Sequence, residues 1–460
     1  MALAEKFIIQ FADWIWGIPL LILLMGGGFF LLIYSRFLPF RYFKHGVHVL
    51  SGKYDNPDDP GQISHFEALS TALAATVGMG NISGVAIGIS IGGPGAIFWM
   101  WVVALVGMAT KFFTCTLAVM YRGKDSAGEI QGGPMYVIME GLGKNWKPLA
   151  VFFSIAALFG SLPIFQANQL TAILHDTILS PNGIKTGFTS HLITGLIITS
   201  IVSIVIFGGI RRIGKVTSKM VPAMVILYFL AVAFILIVNL ESVPTYFIMI
   251  FENAFTADNY SGNPVLGGSL GGLIILGARR AAFSNEAGIG TAPMAHGAAK
   301  TKEPVREGLV AMLGPAIDTL LVCTLTALAI LVTGVWKSGD TNGISLTVSA
   351  FDSAIPFIGK ELLLLCVLIF SLSTMFSYSY YGTKSFSFLA GVKHKNIYNY
   401  FYVLTIIIAS IASLTAVESL ISGSFALMAI PTMVSTLILA PKVVAASKDY
   451  FKRMRERNLL

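Results

Sequence analysis

The stretch ATVGMGN, residues 75–81, interrupts a long apolar run with two glycines that stand two residues apart. Each glycine costs a helix about 1 kcal/mol relative to alanine, and a helix that only faces lipid gains nothing from the pair. Unwound backbone at membrane depth survives where it lines a cavity, because its freed polar groups need partners. The stretch therefore predicts a broken membrane helix beside a ligand site.

A second stretch, NEAGIGTAP at residues 285–293, repeats the glycine spacing and adds a proline, which costs a helix interior about 3 kcal/mol. Free N–H groups at such a break can bind a carboxylate, helped by the N-terminus of the next half-helix, and free carbonyls can bind Na⁺ or an ammonium group. Close helix packing is the alternative explanation of glycines in membrane helices. The occurrence of two breaks at corresponding positions favours a ligand site over close helix packing.

The composition agrees with a membrane protein. Of the 460 residues, 55% are hydrophobic and 12% are charged, and the mean hydropathy is +0.76. Soluble domains carry about 25% charged residues, which excludes a soluble enzyme, a disordered scaffold and a nucleic-acid module. The three cysteines lie in apolar runs without disulfide or metal spacing, so they are expected to pack in the core.

Apolar stretches between charged residues predict an all-α polytopic membrane protein, since a helix that crosses the bilayer needs about 20 residues. The predicted spans, eleven in all, are residues 14–35, 68–91, 96–120, 149–173, 189–209, 219–239, 266–296, 308–335, 361–388, 397–417 and 419–440. Two shorter segments, residues 245–257 and 345–355, are predicted to lie at the membrane surface as lids or packing elements.

Lys and Arg are distributed unequally between the two sides of these spans. In total 24 of the 31 basic residues fall on one side and 4 on the other. Positive charge marks the cytoplasmic side, which predicts a plasma-membrane protein with its amino terminus outside and its carboxyl terminus inside. The same bias explains the net charge of +8 without a nucleic-acid partner, and the basic tail is expected to face membrane lipid.

Ten helices remain when the first is set aside, and they form two groups of five. One group starts inside and the other outside, so the groups are inverted repeats, as in many secondary transporters. The predicted organisation is an extra N-terminal helix with a cytoplasmic loop (1–60), a first repeat (61–240), an extracellular loop (241–264), a second repeat (265–441) and a basic cytoplasmic tail (442–460).

The run GGPGAIFWMWVVALVG at residues 92–107 resembles the signature of the alanine or glycine:cation symporter family. Three further stretches resemble that family: FQAN at 165–168, RAAFSNEAG at 280–288 and SYSYYG at 377–382. The resemblance implies import of alanine or glycine with Na⁺ as the coupling ion and no other cofactor. It also implies a leucine-transporter (LeuT-like) fold of five plus five inverted helices.

Residues 77–81 resemble, more distantly, the unwound first core helix of neurotransmitter:sodium symporters. This resemblance implies that backbone N–H groups around Gly78 and Gly80 hold the substrate carboxylate. It implies one Na⁺ site formed by two carbonyls and two hydroxyls, those of Ala74, Val77, Ser373 and Thr374. A second Na⁺ site would use Asn81 and Thr76, with other ligands unassigned.

Polar and aromatic residues inside the spans complete the predicted substrate site. Gln166 and Asn168 stand two apart and cannot point the same way, so at most one is expected to touch the ligand directly. Large side chains such as Tyr378 would leave room for only a methyl group. The predicted substrate contacts are Thr76, Gly78, Met79, Gly80, Gln166, Asn168, Phe283, Asn285, Gly288 and Phe370.

Several charged residues near the spans have more than one explanation. Glu286 could neutralise a cation, pair with Arg279 or Arg280, or steady the unwound turn, and an ion pair or the turn is favoured. Lys111 and Asp318 lie inside spans and need polar partners. His65 and Glu67 are interpreted as boundary residues that cap the second span.

These patterns lead to one functional hypothesis, a Na⁺-coupled symporter for a small neutral amino acid that works by alternating access. A catalytic triad, a phosphate-binding loop and a metal-ligand cluster are missing from the sequence, so an enzyme is not expected. The alternative is a proton-coupled permease of the same fold, with Glu286 or Lys111 carrying the proton. A channel is disfavoured by the paired breaks.

Overall fold

The computed structural model describes residues 2–256, 270–337 and 343–459, and these ranges are almost entirely helical. Seven of the described helices are long and apolar enough to cross a membrane, or nine if each of two bent helix pairs counts as one span. The predicted all-α polytopic class is therefore confirmed. The predicted number of eleven spans is consistent with these helices.

The amino-terminal part forms the extra helix and a surface segment. Its helices are α1 (Ala2–Ile15), α2 (Ile18–Leu21), α3 (Gly27–Tyr34), α4 (Leu38–Arg41) and α5 (Phe43–Leu50), with a π-helical turn at Ile22–Gly26. The first span bends by 50° between Ile15 and Ile18, where Pro19 begins a new helix. Proline suits a first turn because the N–H that it lacks would have no partner there.

The next part contains the first predicted repeat. Its elements are α6 (His65–Thr76), α7 (Val85–Gly92), α8 (Gly95–Met120), β1 (Gly123–Lys124), β2 (Ile130–Gln131), α9 (Pro134–Tyr136), α10 (Lys147–Gly160), α11 (Ile164–Leu174), α12 (Phe188–Ile206), α13 (Gly209–Val238) and α14 (Val243–Glu252). Ser64 begins α6 with a capping box, in which Glu67 accepts from the Ser64 N–H at 2.8 Å. Glu67 is thus the cap residue that the sequence predicted.

The remaining helices contain the second predicted repeat. They are α15 (Leu270–Asn285), α16 (Ala292–His296), α17 (Pro304–Ala311), α18 (Leu313–Pro315), α19 (Thr324–Thr333), α20 (Ile344–Ala354), α21 (Gly359–Ala390), α22 (Lys395–Ile411) and α23 (Leu414–Glu456). A π-helical segment, Ala316–Cys323, joins α18 to α19 and carries Asp318. The two predicted surface segments coincide with α14 and α20 over the described residues.

The boundary between the last two helices differs from the prediction. α22 ends at Ile411 rather than near residue 417, because Ser413 caps α23 and accepts a hydrogen bond from the Ala416 N–H at 3.3 Å. At its other end α23 continues through the basic segment that the sequence suggested was a tail. Tyr450 and Phe451 are buried there, so apolar packing extends the helix.

Candidate functional site

The first break lies between Thr76 and Gly80, and the two halves of the helix are inclined by 50°. The Asn81 side chain spans this break, since its Oδ1 accepts from the Gly78 N–H at 3.1 Å. The Asn81 N–H donates in turn to the Gly78 carbonyl at 3.1 Å. A substrate carboxylate at the Gly78 N–H would therefore have to displace the Asn81 oxygen.

The second break lies between Asn285 and Ala292. Gly288 and Gly290 have φ angles of 84° and 105°, a conformation that glycine adopts at little cost. Glu286 also has a positive φ of 53°, and its carboxylate accepts hydrogen bonds from the hydroxyls of Thr291 and Tyr378. Of the predicted roles of Glu286, the structure thus favours steadying the unwound turn.

The two arginines proposed as partners of Glu286 pair with other carboxylates. Nη1 of Arg279 lies 2.9 Å from Oδ1 of Asp13, which joins α15 to the extra helix. Nη2 of Arg280 lies 2.5 Å from Oε1 of Glu418 in the first turns of α23. The ion pair predicted for Glu286 is therefore not formed, because both arginines point towards neighbouring helices.

The first break packs against the residues that precede the second. A Cβ atom added at Gly80 would collide with the main-chain carbonyl of Phe283, so the glycine permits this close approach. Nδ2 of Asn81 donates to the Ser284 hydroxyl at 3.3 Å. The two broken helices therefore form one contiguous unit around residues 78–81 and 283–285.

Two of the four residues predicted to form one Na⁺ site, Thr374 and Ala74, lie in contact in the structure. The Thr374 hydroxyl donates to the Ala74 carbonyl at 2.8 Å and to the Phe370 carbonyl at 3.0 Å. A Cβ atom at Gly78 would lie 2.5 Å from the same hydroxyl oxygen, so Thr374 contacts the break itself. The Ser373 hydroxyl instead donates to its own helix at the Phe370 carbonyl, at 2.9 Å. Thr374 is thus brought to the first helix, whereas Ser373 is satisfied within α21.

A second oxygen-rich cluster surrounds Asp318, which is fully buried. Its Oδ1 accepts from the Ser284 hydroxyl at 3.2 Å and from the hydroxyl of Thr319. Its Oδ2 has no other hydrogen-bond partner in the described part of the chain, and the Thr76 hydroxyl, which likewise has no other partner there, interacts with this carboxylate. Nδ2 of Asn81 donates to the Asp318 carbonyl at 2.9 Å. The ammonium group of Lys111 acts on this carboxylate from nearby, and a bound cation or a proton could complete its neutralisation, so the cluster is a candidate ion site.

The sequence predicts Thr76 and Asn81 as members of an ion site but gives Asp318 no place in it. A single acidic residue within the apolar run 308–335 was the signal that could have identified it. The fold was needed to show that this carboxylate meets the first break, because the two lie more than two hundred positions apart in the chain.

The polar residues of α11 have separate roles. Nδ2 of Asn168 donates to the carbonyls of Ala409 and Ala412 at 3.1 and 2.8 Å, and so holds the end of α22. Oε1 of Gln166 is buried and has no partner among the described residues. Asn168 is thus engaged with the end of α22, whereas the Gln166 oxygen remains available among the described residues.

Two predicted contacts at the second break are engaged elsewhere. Asn285 accepts from the Ala287 N–H at 2.9 Å and donates to the Thr319 hydroxyl at 3.1 Å, so its amide organises the turn. A Cβ atom at Gly288 would point to Leu24 and Met433, which belong to the extra helix and to α23. The main chain of this break is thus fixed by helices outside the predicted site.

Aromatic side chains surround the junction of the two breaks. The ring of Phe283 lies 6.0 Å from that of Phe165 and 5.4 Å from that of Phe425. Phe370 packs at 5.5 Å against Tyr228, and Met79 is fully buried. Apart from Asn168, the predicted substrate contacts are buried, so a ligand can reach them only after the helices move.

A buried triad that the sequence did not predict connects the ends of three helices. Glu307 in α17 accepts from Nδ1 of His296 in α16 at 2.5 Å and from Nδ1 of His65 at the start of α6. Glu307 is fully buried. His65 was predicted as a boundary residue, and the structure adds that it links the first repeat to the second. Its pairing partner could not be read from local spacing.

A multi-pass helical fold with two broken helices packed against each other defines a membrane transporter. The chain belongs to the sodium:alanine symporter family, whose profile matches residues 1–459. It is therefore a symporter rather than an enzyme, as the sequence predicted.

Named relatives cover nearly all of the chain. It is 39% identical over 446 residues to the sodium/alanine symporter AgcS of Methanococcus maripaludis, covering 95% of each protein. It is 33% identical over 445 residues to the probable sodium/glutamine symporter GlnT of Bacillus subtilis, covering 96% of this chain and 90% of that one.

A solved structure confirms the fold class. The crystal structure of MhsT in complex with L-phenylalanine superimposes with a TM-score of 0.58, covering 84% of this chain and 98% of MhsT at 14% sequence identity. MhsT has the leucine-transporter fold, so the predicted inverted-repeat class is confirmed. At this identity the likeness concerns the fold alone.

Proposed function

We propose that this symporter imports a small neutral amino acid, alanine or glycine, together with Na⁺ by alternating access. The observation that carries the proposal is the contact between the two broken helices at residues 78–81 and 283–285, where polar main chain meets two oxygen-rich clusters. Family membership and the name of the relative AgcS support alanine as the substrate.

The first proposed Na⁺ site uses the carbonyls of Ala74 and Val77 and the hydroxyls of Ser373 and Thr374. The 2.8 Å contact between Thr374 and the Ala74 carbonyl supports it, because these oxygens already lie together. A hard cation prefers oxygen ligands, and neutral oxygens release it easily. Binding would require the Thr374 hydroxyl, and Ser373 after a rotation, to turn a lone pair towards the ion.

The second proposed cation site uses Thr76 and Asn81, with Asp318 as its charged ligand. It is supported by two buried oxygen atoms that face each other, Thr76 Oγ1 and Asp318 Oδ2, and that have no further partner among the described residues. A monovalent cation there would neutralise the carboxylate while it is shielded from water. Each Na⁺ that enters carries one charge, which is worth about 2.3 kcal/mol per 100 mV.

The proposed substrate site lies at the junction of the breaks. The substrate carboxylate would replace Asn81 Oδ1 at the Gly78 N–H and approach Gly80, and the ammonium group would meet carbonyls near residues 283–288. Gln166 is the favoured polar side chain of α11. The further proposed contacts are Thr76, Met79, Phe283, Asn285 and Phe370, with Asn168 and Gly288 acting through the helices that they hold.

The charge distribution supports a plasma-membrane location with the amino terminus outside and the carboxyl terminus in the cytoplasm. We propose the repeat boundaries 61–240 and 265–441 on the same basis. The segment between the two repeats would then lie outside the cell. The basic segment after residue 441 would lie inside the cell and would face anionic lipid.

Glutamine is the second candidate substrate, because the relative GlnT is named for it. Proton coupling on the same fold is the alternative mechanism. It is supported by buried carboxyl groups at Glu286 and Asp318, and Lys111 is a further buried titratable group.

Uptake of labelled alanine into proteoliposomes tests these proposals. Accumulation should require an inward Na⁺ gradient, and unlabelled glycine should compete better than glutamine. The variant Thr374→Ala should raise the Na⁺ concentration for half-maximal uptake about tenfold, or about 1.4 kcal/mol, whereas Thr374→Ser should stay within about twofold. Unchanged Na⁺ dependence in Thr374→Ala would remove the first ion site. Uptake driven by a pH gradient without Na⁺ would favour the permease.

A further inference from the structure

A deep groove runs between the end of α3, the start of α4 and the last turns of α23. Its volume is about 780 Å³. Its apolar surface is formed by Ile33 and Tyr34, which are 62% and 40% exposed, above the buried rings of Phe112 and Phe113. Basic side chains form its rim, and these are Arg36, Arg41, Lys448, Lys452 and Arg455. The groove therefore combines an apolar surface with a cluster of positively charged side chains.

The local fold builds this rim at a conformational cost. Arg36 and Phe37 have φ angles of 54° and 58°, which a residue with a Cβ atom adopts rarely. This turn ends the first span and redirects the chain into α4 along the groove. Strained backbone of this kind persists where the surrounding structure holds it, and it is concentrated at functional sites.

The opposite wall is held by aromatic stacking. The rings of Tyr42 and Phe451 stack with centroids 3.6 Å apart at an angle of 11°. Nη2 of Arg455 donates to the Tyr42 hydroxyl at 2.9 Å, and the Arg41 guanidinium lies 5.6 Å from the Tyr42 ring. Two of the basic groups are thus fixed on a rigid support beside the groove.

The rim cations are not neutralised by protein. Within residues 2–256, 270–337 and 343–459, none of the five has a carboxylate oxygen within 4 Å. The neighbouring Arg453, in contrast, binds Glu303 at 2.6 Å and Asp449 at 3.0 Å. One acidic residue, Glu456, lines the groove against five cations. The groove therefore attracts an anion.

We propose that this groove binds an anionic glycerophospholipid of the inner leaflet. An acyl chain would lie along Ile33 and Tyr34, and the phosphate would meet Arg36, Lys448 and Lys452. A lipid explains both the apolar surface and the basic rim, whereas a free phosphate would leave that surface exposed to water. The assignment to the inner leaflet rests on the orientation given under the proposed function, but lipid binding itself does not depend on transport.

Lipid titration of the purified full-length protein in detergent tests the proposal by native mass spectrometry. The wild-type protein should retain phosphatidylglycerol about tenfold more strongly than phosphatidylcholine, and binding should weaken as salt rises, because charge drives it. The variant Arg36→Gln/Lys448→Gln/Lys452→Gln should lose this preference. The control Arg211→Gln/Arg212→Gln/Lys215→Gln removes three exposed basic groups outside the groove and should keep it.

Several results would overturn the proposal. These are equal retention of the two lipids by the wild-type protein, equal loss of phosphatidylglycerol in both triple variants, or displacement of the lipid by millimolar glycerol 3-phosphate. The last result would identify the ligand as a free phosphate ester. The salt dependence and the comparison of the two lipids need no variant, so they decide the question even if the groove variant fails to fold. No transport is measured, so a failed symport proposal would leave this test intact.

Discussion

Arg280 and Glu418 form an ion pair of 2.5 Å that joins α15 to α23, and the Arg280 guanidinium lies 5.6 Å from the Phe283 ring. Both side chains are largely buried, at 4% and 16% exposed. The pair therefore links the helix that contains the second break to the last helix of the fold, directly beside an aromatic residue of the proposed substrate site.

Replacing one partner should destabilise this junction. Glu418→Gln removes the charge that neutralises a buried guanidinium, and losing one partner of a buried pair costs about 3–5 kcal/mol. We expect a lower melting temperature and alanine uptake reduced more than about tenfold. The control is Asp13→Asn, which breaks the pair with Arg279, where Asp13 is 54% exposed. Exposed pairs contribute about 0–1 kcal/mol, so equal effects of the two variants would contradict the prediction.

Gly80→Ala should separate the two broken helices. The added methyl group would collide with the Phe283 carbonyl, which belongs to backbone and cannot rotate away. We expect alanine uptake to fall below about a tenth of wild type, with a lower melting temperature, since overpacking costs about 1–3 kcal/mol. Gly84→Ala is the matched control in the same π-helical segment, Gly80–Gly84, because a Cβ atom there meets nothing within 4 Å. Normal uptake by Gly80→Ala would disprove the close contact.

Asp318→Asn should weaken ion coupling without unfolding the protein. The amide keeps the size of the side chain, and its oxygen can still accept from the Ser284 and Thr319 hydroxyls, while a charge that is costly to bury without a bound cation is removed. We expect the Na⁺ concentration for half-maximal uptake to rise about tenfold, which is about 1.4 kcal/mol, with a melting temperature in Na⁺-free buffer at or above that of wild type. Asp352→Asn, at an exposed pair with Lys360, should change neither quantity. An unaltered Na⁺ dependence in Asp318→Asn would exclude the second ion site.

The stability of the packing between α5 and α23 should depend on pH through His45. Burial and the nearby charges of His48, Arg306 and Lys53 lower its pKa to about 4, and its Nε2 forms a 2.8 Å hydrogen bond with the Tyr450 hydroxyl. Because the folded protein favours the neutral ring, this stabilisation is complete above the unfolded pKa of about 6.5. It is lost as the pH falls from there towards about 4.

Melting temperatures at pH 7.5 and pH 5 test this dependence. The wild-type protein should lose more stability between the two values than His45→Gln, which can bond to Tyr450 but does not titrate. His394→Gln, at an exposed histidine on another surface turn, serves as the control and should behave like wild type. A parallel loss in all three proteins would assign the pH dependence to other groups.

The features predicted from the sequence are those that depend on local composition. Apolar runs separated by charges located the helices, and paired glycines located both breaks, because each effect acts within a few residues. The family resemblance supplied Thr374 as the residue that meets Ala74, and that contact is present in the structure.

The features that could not be predicted depend on contacts between distant parts of the chain. Asp318 reaches Asn81 across 237 positions, and Glu307 reaches His65 across 242. The length of α23 was underestimated for a similar reason. Its basic end is helical because Tyr450 and Phe451 find buried partners on the amino-terminal segment, and the sequence of the tail does not show this.

The helix α23 has 43 residues, which corresponds to about 65 Å of continuous rod. Glu418 lies near one end of this rod and Lys452 near the other, so the ion pair and the groove share one mechanical element. Two prolines, Pro431 and Pro441, interrupt its hydrogen bonding between these points. Any motion that pulls Glu418 away from Arg280 must either be absorbed by flexing at those prolines or displace the opposite end against the membrane.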